Sequence, residues 1–314
     1  MRIRPFAAAS VAALSIVLLA GCTSTTDAET DASTSTDTAT DLCSAAVSSG
    51  SATDALVVEG EVGEESTLVF DTPLEVDELQ RSVVEEGSGD PVSDGDLVVY
   101  ALSAFDAETG ESLGAFGYDT AALPQQISAD NPLGQLLGCA TPGTRVVAAF
   151  PAADDGTTTA EAYIIDLIDV APGAAWGEPQ DPVDGMPTVE LAEDGAPAIT
   201  VPDADAPTEV EIETLKLGDG AVVAEGDTVL VHYTGVKWSD GSVFDSSWES
   251  GTPASFQTTG VVAGFQQALE GQTVGSQVLV VIPPEFGYGE SEGHELQDET
   301  LVFVVDILGT QPIL

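Results

Sequence analysis

The feature that most constrains the fold of this sequence is an internal repeat with an offset of about 131 residues. Three pairs of segments correspond in order: EEGSGDPVSDGDLVVYAL (85–102) with KLGDGAVVAEGDTVLVHY (216–233), ATPGTRVVAAFP (140–151) with QTVGSQVLVVIP (272–283), and AYIIDLIDV (162–170) with VFVVDILGT (302–310). Each half therefore contains apolar strands of similar length between Gly-rich turns. Two domains of one fold are the simplest explanation.

The second copy indicates an antiparallel sheet with one short helix. TVLVHYT, SQVLVVIP and LVFVVDIL are rich in Val, Ile and aromatic residues, which is typical of strands. The apolar alternation of EVEIETLKLG changes parity around Thr214, which predicts a bulge. Only VVAGFQQALEG has a helical pattern, and Gly271 is its expected stop. We therefore predict an α+β fold, an antiparallel β-sheet wrapped on one short α-helix, present twice.

The N-terminus predicts export. Arg2 and Arg4 precede an apolar run and the sequence LAGC, which ends at Cys22. A basic start and a short apolar segment are typical of a secretory signal, and small residues before a cysteine resemble a bacterial lipobox. We expect lipidation of Cys22; the alternative is ordinary signal cleavage that leaves a free Cys22. Either outcome places the mature protein outside the cytoplasmic membrane, and lipidation would make the lipid its only membrane contact.

The charge of the chain excludes several classes of function. Six basic residues against 54 acidic ones give a formal net charge of −48. Such a surface repels nucleic acid, so we expect no nucleic-acid partner. A solvated acidic surface is the simpler interpretation of this charge, and an acidic, cation-scavenging surface protein is an alternative that rests on charge alone.

The cysteines fit an oxidising compartment. If Cys22 carries lipid, Cys43 and Cys139 remain as an even pair, for which we predict a disulfide. Two buried free thiols are the alternative. With only His232 and His294 as histidines, no spacing resembles a zinc site, and we expect neither metal nor cofactor.

Composition sets the boundaries of the segments. A Thr-, Ser- and Asp-rich stretch predicts a tether, and the Pro- and Gly-rich APGAAWGEPQDPVDGMP predicts a linker. The predicted segments are the signal peptide 1–21, the tether 22–42, the first copy 43–171, the linker 172–185 and the second copy 186–314.

The second copy resembles the FKBP-type peptidyl-prolyl cis-trans isomerases, which bind tacrolimus and rapamycin. The matching motifs occur in family order: GDG (218–220), GD (226–227), VHYTG (231–235), DG..FDSS (240–247), VVAGF (261–265), VG (274–275), IPPEFGYG (282–289) and LVFVVDIL (301–308). They extend over about 105 residues, a much more specific signal than a single short motif.

This resemblance implies an apolar cleft between the sheet and the helix. It assigns catalytic roles to Tyr233, Phe244, Asp245, Val262, Phe265 and Tyr288. It assigns substrate contacts to Phe256, Val261 and Phe303, and Leu296 is a further loop contact. Phe265 stands where the family most often has Trp, so an indole N–H donor for ligands is missing. His232 alternates away from Tyr233, which indicates a structural role.

The resemblance implies an isomerase that acts on X-Pro-containing polypeptides and assists the folding of exported proteins. Tacrolimus- and rapamycin-like macrolides are candidate ligands. A non-catalytic, chaperone-like binding module for Pro-containing segments is the alternative.

The first copy lacks the cleft residues. The repeat pairs Tyr233 with Leu102, Phe244 with Leu113, and Asp245 with Gly114, and PPEFGYG with PAADDGT. Only Phe303 is matched by an aromatic residue, Tyr163. We therefore predict a degenerate, inactive FKBP-like domain that serves as spacer, stabiliser or binding surface.

Overall fold

The computed structural model describes residues 41–120, 122–153 and 157–313. The predicted signal peptide, Cys22 and the tether up to residue 40 lie outside these ranges, so lipidation stays a prediction. Every helix in the described ranges falls short of the length and apolarity needed to cross a membrane.

The first half consists of one antiparallel sheet, a separate hairpin of β1 and β2, and short helices. Its elements are α1 (Leu42–Ala45), α2 (Ser51–Asp54), β1 (Val57–Glu59), β2 (Thr67–Val69), β3 (Gln80–Glu85), β4 (Leu97–Asp106), β5 (Ser112–Phe116), β6 (Gln125–Gln126), α3 (Pro132–Leu137), β7 (Arg145–Phe150) and β8 (Glu161–Ala171). The Asn131 side chain caps α3 by accepting the N–H of Gly134 at 2.7 Å.

The second half has a longer antiparallel sheet and a hairpin of β10 and β11. Its elements are β9 (Glu178–Pro179), β10 (Thr188–Leu191), β11 (Pro197–Thr200), β12 (Glu211–Leu217), β13 (Thr228–Lys237), β14 (Val243–Ser246), α4 (Ser247–Ser250), β15 (Ala254–Gln257), a 3₁₀ turn (Thr258–Gly260), α5 (Ala263–Leu269), β16 (Gln277–Ile282), a second 3₁₀ turn (Pro284–Phe286) and β17 (Leu301–Gln311).

The two large sheets have corresponding strand orders. The first is β5-β4-β8-β7-β3 with β6 also on β4, and the second is β14-β13-β17-β16-β12-β9 with β15 also on β13. Strands β4 and β13 begin at residues 97 and 228, a separation of 131 (228 − 97). The ladders are irregular at corresponding places, between Val99 and Tyr100 and between Leu230 and Val231. The bulge predicted around Thr214 is confirmed between Thr214 and Lys216.

Helix α5 covers one face of the second sheet. Phe265, Ala268 and Leu269 are buried against side chains of β13, β16 and β17. A Cβ on Gly264 would lie 2.5 Å from Cγ2 of Ile282, so glycine allows the helix to approach β16 closely. The predicted helix is confirmed, and Gly271 follows it with a φ of +85°.

The hairpin of β10 and β11 covers the opposite face of this sheet. Leu279 and Val281 pack there with Val189 and Ile199, whereas the alternate residues of β16 face α5. With both faces covered, the central strands are apolar at consecutive positions, as in VLVVI and LVFVV.

A disulfide joins Cys43 and Cys139, which are 96 residues apart with a Cα–Cα distance of 4.7 Å. It connects α1 to the residue that follows the C-cap of α3. Cys43 is exposed and Cys139 is half-buried, so the pair does not correspond to the alternative of two buried thiols.

The halves share a small buried apolar contact. Leu97 of β4 packs with Leu230 of β13 and Leu308 of β17, and all three side chains are almost fully buried. The Gln126 side chain also donates a hydrogen bond to the Gly251 carbonyl at 2.9 Å.

The segment predicted as a linker is part of the second sheet. Strand β9 pairs with β12, with Pro179 opposite Lys216. The N–H of Ala175 donates to Asp306 Oδ2 at 2.8 Å, and Gln277 Nε2 donates to Oδ1 at 2.7 Å. Asp306 is 1% exposed, and burial raises the pKa of its carboxyl group despite these two donors.

We expect a fragment of residues 186–313 to be less stable than a fragment of residues 172–313. The shorter fragment lacks β9 and leaves buried Asp306 without the Ala175 donor, which costs about 1–3 kcal/mol in the free energy of unfolding. Urea unfolding followed by tryptophan fluorescence measures the difference. Ala175→Pro in the longer fragment removes that donor while β9 is kept, and it should reproduce part of the loss. Equal midpoints for the two fragments would contradict the role of this segment.

Candidate active site

A cavity of about 500 Å³ opens between the second sheet and α5. Aromatic and aliphatic side chains dominate its lining, with a few polar groups, as is usual for ligand sites. The lining residues are Tyr233, Phe244, Asp245, Phe256, Gly260, Val261, Val262, Phe265, Gly287, Tyr288, Ser291 and Phe303.

The structure brings together all but one of the site residues named from the sequence. The exception is Leu296, which does not line the cavity. It is 5% exposed and belongs to the same buried core as Phe265 and Leu269, where it anchors its loop. Sequence reasoning did not name Gly260, Gly287 or Ser291 as site residues. Gly260 immediately precedes the VVAGF motif, Gly287 lies within IPPEFGYG, and Ser291 follows that motif.

The floor of the cavity is a cluster of tilted and edge-to-face aromatic rings. Phe265 projects from α5 and meets Phe303 of β17 at a centroid distance of 5.0 Å and an interplanar angle of 77°. Tyr233 and Phe256 complete the floor, each with a ring centroid 6.2 Å from that of Phe265. Edge-to-face packing directs ring edges at neighbouring ring faces, which favours a rigid apolar surface.

Asp245 lies at the edge of the cavity and is bonded to Tyr233. The Tyr233 hydroxyl donates to Asp245 Oδ2 at 2.6 Å. Burial, followed by this hydrogen bond and the carboxylate charge, raises the pKa of Tyr233 well above its usual value. The phenol therefore stays protonated at physiological pH and keeps the carboxyl group in a fixed position.

Two polar groups at the cavity are without hydrogen-bond partners in the described residues. Val262 is the N-cap residue of α5, and its backbone N–H makes no hydrogen bond in this part of the chain. The Tyr288 hydroxyl, which also lines the cavity, is likewise unbonded there. Both are available to a bound molecule.

Gly235 determines the shape of one wall. It lies on β13 directly opposite Phe303, and a Cβ here would be 2.7 Å from both Phe244 Cζ and Phe303 Cε1. Both rings therefore rest on the glycine backbone. A glycine inside an apolar strand often marks such a close approach, and this signal could have identified Gly235 from the sequence. Ala104 occupies the corresponding place in β4, opposite Tyr163.

We expect Gly235→Ala to lower kcat/KM for an X-Pro peptide about tenfold, because the new methyl group displaces Phe244 and Phe303. Overpacking should also reduce the free energy of unfolding by about 1–3 kcal/mol. Protease-coupled kinetics and urea unfolding measure the two effects. Gly173→Ala is the control, since a Cβ there meets nothing within 4 Å; an unchanged kcat/KM for Gly235→Ala would contradict the proposed packing.

His232 supports the cleft from the opposite face of β13. Its Nδ1 is 2.8 Å from Ser247 Oγ, and its ring stacks on the ring of Trp248 with the two centroids 4.1 Å apart. Ser247 Oγ also accepts the N–H of Tyr233 at 2.8 Å, so this cluster fixes the end of β14 against β13. Burial lowers the pKa of His232, although Asp194 partly opposes this shift.

Stability should decrease on acidification through His232. The pKa of His232 is lower in the folded state than in the unfolded state, where it is about 6.5. The free energy of unfolding is therefore highest above that pH. It decreases by up to about 1.4 kcal/mol per pH unit as the pH falls below that value. Urea unfolding of wild type and His232→Gln at pH 7.5 and 5.5 measures the effect. Between pH 7.5 and 5.5 the wild type should lose more free energy of unfolding than His232→Gln. His294→Gln, which keeps His232, is the control. Equal losses in wild type and His232→Gln would refute the assignment of this effect to His232.

The first half has corresponding strands but different residues at the positions of the cavity. Ala104 pairs with Gly114 as Gly235 pairs with Asp245, so the register places a glycine where the carboxylate would stand. Tyr163 packs edge-to-face on Phe150 at 5.2 Å, and its hydroxyl donates to Glu161.

Comparison with known proteins identifies the class. Residues 220–308 match the family model of the FKBP-type peptidyl-prolyl cis-trans isomerases. A probable FK506-binding protein of Corynebacterium glutamicum is 41% identical over 113 residues, covering 36% of this chain and 96% of that protein. An FK506-binding protein of Streptomyces anulatus is 38% identical over 117 residues, covering 36% and 94%. The crystal structure of FkpA from Escherichia coli matches at 30% identity with a TM-score of 0.32, covering 41% of this chain and 53% of that one.

The chain belongs to the FKBP-type peptidyl-prolyl cis-trans isomerase family. The matched residues include β13 to β16, β17 as far as residue 308, and all the lining residues of the cavity. The enzyme is thus an FKBP-type isomerase, and the cavity in its second half is the candidate active site.

Proposed function

We propose that the second half of this protein catalyses cis-trans isomerisation of X-Pro bonds in exported polypeptides, outside the cytoplasmic membrane. The observation that carries the proposal is the cavity of about 500 Å³, whose aromatic floor is bordered by the Tyr233–Asp245 pair and by unbonded donors. The reaction requires no nucleophile.

Isomerisation needs only preferential binding of a twisted amide. Rotation about a peptide bond has a barrier of about 18–20 kcal/mol because twisting breaks amide resonance. The two isomers of X-Pro are close in energy, so uncatalysed exchange takes on the order of tens to hundreds of seconds. A thousandfold acceleration requires about 4 kcal/mol of preference for the twisted form. An apolar floor favours the twisted form because its carbonyl is less polar than that of the planar amide.

The lining residues have distinct proposed roles. Phe265 and Tyr233 form the floor against the proline ring, and Phe244 forms a wall. The Val262 N–H and the Tyr288 hydroxyl donate to substrate carbonyls, and Asp245 faces the twisting amide at the rim. Side-chain contacts with the flanking residues come from Phe256, Val261 and Phe303.

Localisation follows from the N-terminus and the disulfide. A signal sequence with LAGC at Cys22 supports export and lipid anchoring, and the Cys43–Cys139 bond fits an oxidising compartment. The natural substrates are then newly exported chains, whose folding is slowed by X-Pro isomerisation. Tacrolimus-like macrolides are proposed to bind the same floor, without the hydrogen bond that an indole would offer.

The first half is proposed to be a degenerate copy of the same domain. The corresponding strand orders and bulges support one ancestral fold, with residues 43–171 as the inactive copy. The buried contact of Leu97 with Leu230 and Leu308 supports a stabilising role.

A non-catalytic, chaperone-like binding function is the second candidate, and one observation favours it. Leu113 and Phe116 of β5 are 53% and 39% exposed, at the strand that corresponds to β14 of the active site. Exposed apolar side chains on this edge could hold unfolded segments of a client.

We expect Tyr288→Phe and Asp245→Val in the full-length protein each to lower kcat/KM about tenfold, because each removes a polar contact with the twisted amide. The two changes together should lower kcat/KM about a hundredfold if their effects add, and the first half is expected to contribute none of the remaining activity. Protease-coupled kinetics on several X-Pro peptides measures this, with Asp298→Asn on the exposed loop as the control. Wild-type rates in both single variants would overturn the assigned roles, and high residual activity in the double variant would place a second active site elsewhere.

A further inference from the structure

Strand β5 is an open edge of the first sheet. It ends the strand order of that sheet, and all five residues of Ser112–Phe116 are exposed. After a bulge at Leu113, the last three residues pair regularly with β4, and within the described ranges the β5 backbone has no hydrogen bond to any other segment. On the outer side of an edge strand, N–H and C=O groups point away from the sheet. The outer edge of β5 is therefore able to pair with a further extended segment.

The composition of β5 differs from that of the other strands that end the two large sheets. Edge strands usually carry charged residues or proline, which discourage pairing with another chain. Strand β3 contains Glu85, β14 contains Asp245 and β9 contains Glu178, whereas β5 is uncharged. In a chain with 54 acidic residues, an uncharged edge with exposed apolar side chains indicates a binding surface.

A cavity of about 340 Å³ adjoins the C-terminal end of β5. Phe116 and Tyr118 contribute aromatic rings to its lining, and Pro312, which follows β17, contributes a further apolar surface. The centroid of the Phe116 ring is 6.1 Å from that of Tyr100 on β4. The Tyr118 hydroxyl donates to Asp166 Oδ2 on β8 at 3.4 Å. Both rings are therefore held by contacts with strands of the sheet.

The charged side chains of this cavity are both acidic. Glu65 and Asp119 line it, both are exposed, and neither has a hydrogen-bond or ion-pair partner among the described residues. Aromatic faces attract a cation through the ring quadrupole, and free carboxylates attract it through their charge. The cavity at the end of β5 therefore favours a lysine or arginine side chain.

We propose that β5 and this cavity bind an extended polypeptide segment of apolar residues followed by a lysine or arginine. The segment adds a strand to the outer edge of β5, its apolar side chains pack beside Leu113 and Phe116, and its basic side chain enters the cavity. The net charge of −48 attracts such a segment from a distance and repels a second copy of this chain. This surface is separate from the isomerase cavity and needs no isomerase activity.

The first test uses the wild-type full-length protein and changes the ligand. The probe is a fluorescein-labelled peptide of alternating valine and serine that ends in two arginines and contains no proline. Replacing both arginines by citrulline removes the cation, and N-methylation of the apolar part removes the donors for the β5 carbonyls. Each change should raise the Kd at least about tenfold in fluorescence anisotropy. An unchanged Kd for either modified peptide would overturn the proposal.

Variants of the protein locate the site at physiological ionic strength. Phe116→Ala should raise the Kd about 3- to 10-fold, and Phe116→Tyr, which keeps a ring, should bind almost as wild type does. Glu65→Gln/Asp119→Asn should raise the Kd about tenfold. The matched control Glu75→Gln/Asp77→Asn removes the same charge from exposed carboxylates outside the cavity lining and should change the Kd less than about twofold. Equal effects of the two double variants would overturn the site, because only the overall field would then attract the peptide.

Hydrogen exchange identifies the surface that the peptide covers. Amides of residues 112–120 should exchange more slowly when the peptide is bound. Protection of residues 256–265 in place of 112–120 would assign the peptide to the isomerase cavity and overturn the proposal. A dimer in sedimentation that the peptide does not dissociate would also overturn it, because a second copy would then cover β5. Isomerase kinetics on short X-Pro peptides are measured separately, so failure of this surface leaves the proposed function intact.

Discussion

The pairing of β13 with β17 is the interaction on which the catalytic half depends. It extends from Thr228 opposite Gln311 to Lys237 opposite Leu301, and the other edge of β13 carries β15 and β14 in turn. This arrangement places Tyr233 on the central strand of the cleft and Asp245 beside it. A register shift by one residue would move every side chain of β13 to the opposite face of the sheet and would disrupt the packing on both faces, so the register is strongly specified.

Both halves bury an aspartate on their last strand but satisfy it differently. Asp166 forms an ion pair with Arg145, with Nε to Oδ1 at 2.6 Å, and also accepts the N–H of Gly63. At the corresponding position, Asp306 accepts from Gln277 and Ala175. In each case a segment that precedes the sheet supplies a backbone N–H, because a buried carboxyl group without donors is costly. This requirement explains why the segment that precedes each sheet, including the segment predicted as a linker, is held against that sheet.

The two halves have similar strand frameworks but differ in the residues at the positions of the cavity. The strand order, the bulges and the buried aspartate need only apolar periodicity and a few polar partners, and both halves have these. The cleft needs specific side chains at specific positions, and it needs a glycine at position 235 beneath the rings of Phe244 and Phe303. The second half pairs Gly235 with Asp245, whereas the first half pairs Ala104 with Gly114 at the corresponding place in its sheet.

The sequence by itself determined the main strands of the second sheet, the helix within VVAGFQQALEG, the bulge at Thr214 and most of the cleft, because apolar periodicity and ordered motifs are local signals. The tertiary structure decided what depends on contacts between residues distant in the chain. Leu296 lies in the core and not at the cavity. Part of the segment predicted as a linker pairs with β12, and the Ala175 N–H of the same segment donates to buried Asp306. The tertiary structure also showed why Gly235 must lack a side chain, and it stacked His294 on Tyr288. Local sequence patterns do not predict such contacts, because they form only when the strands of the second sheet and the loop before β17 pack together in the folded chain.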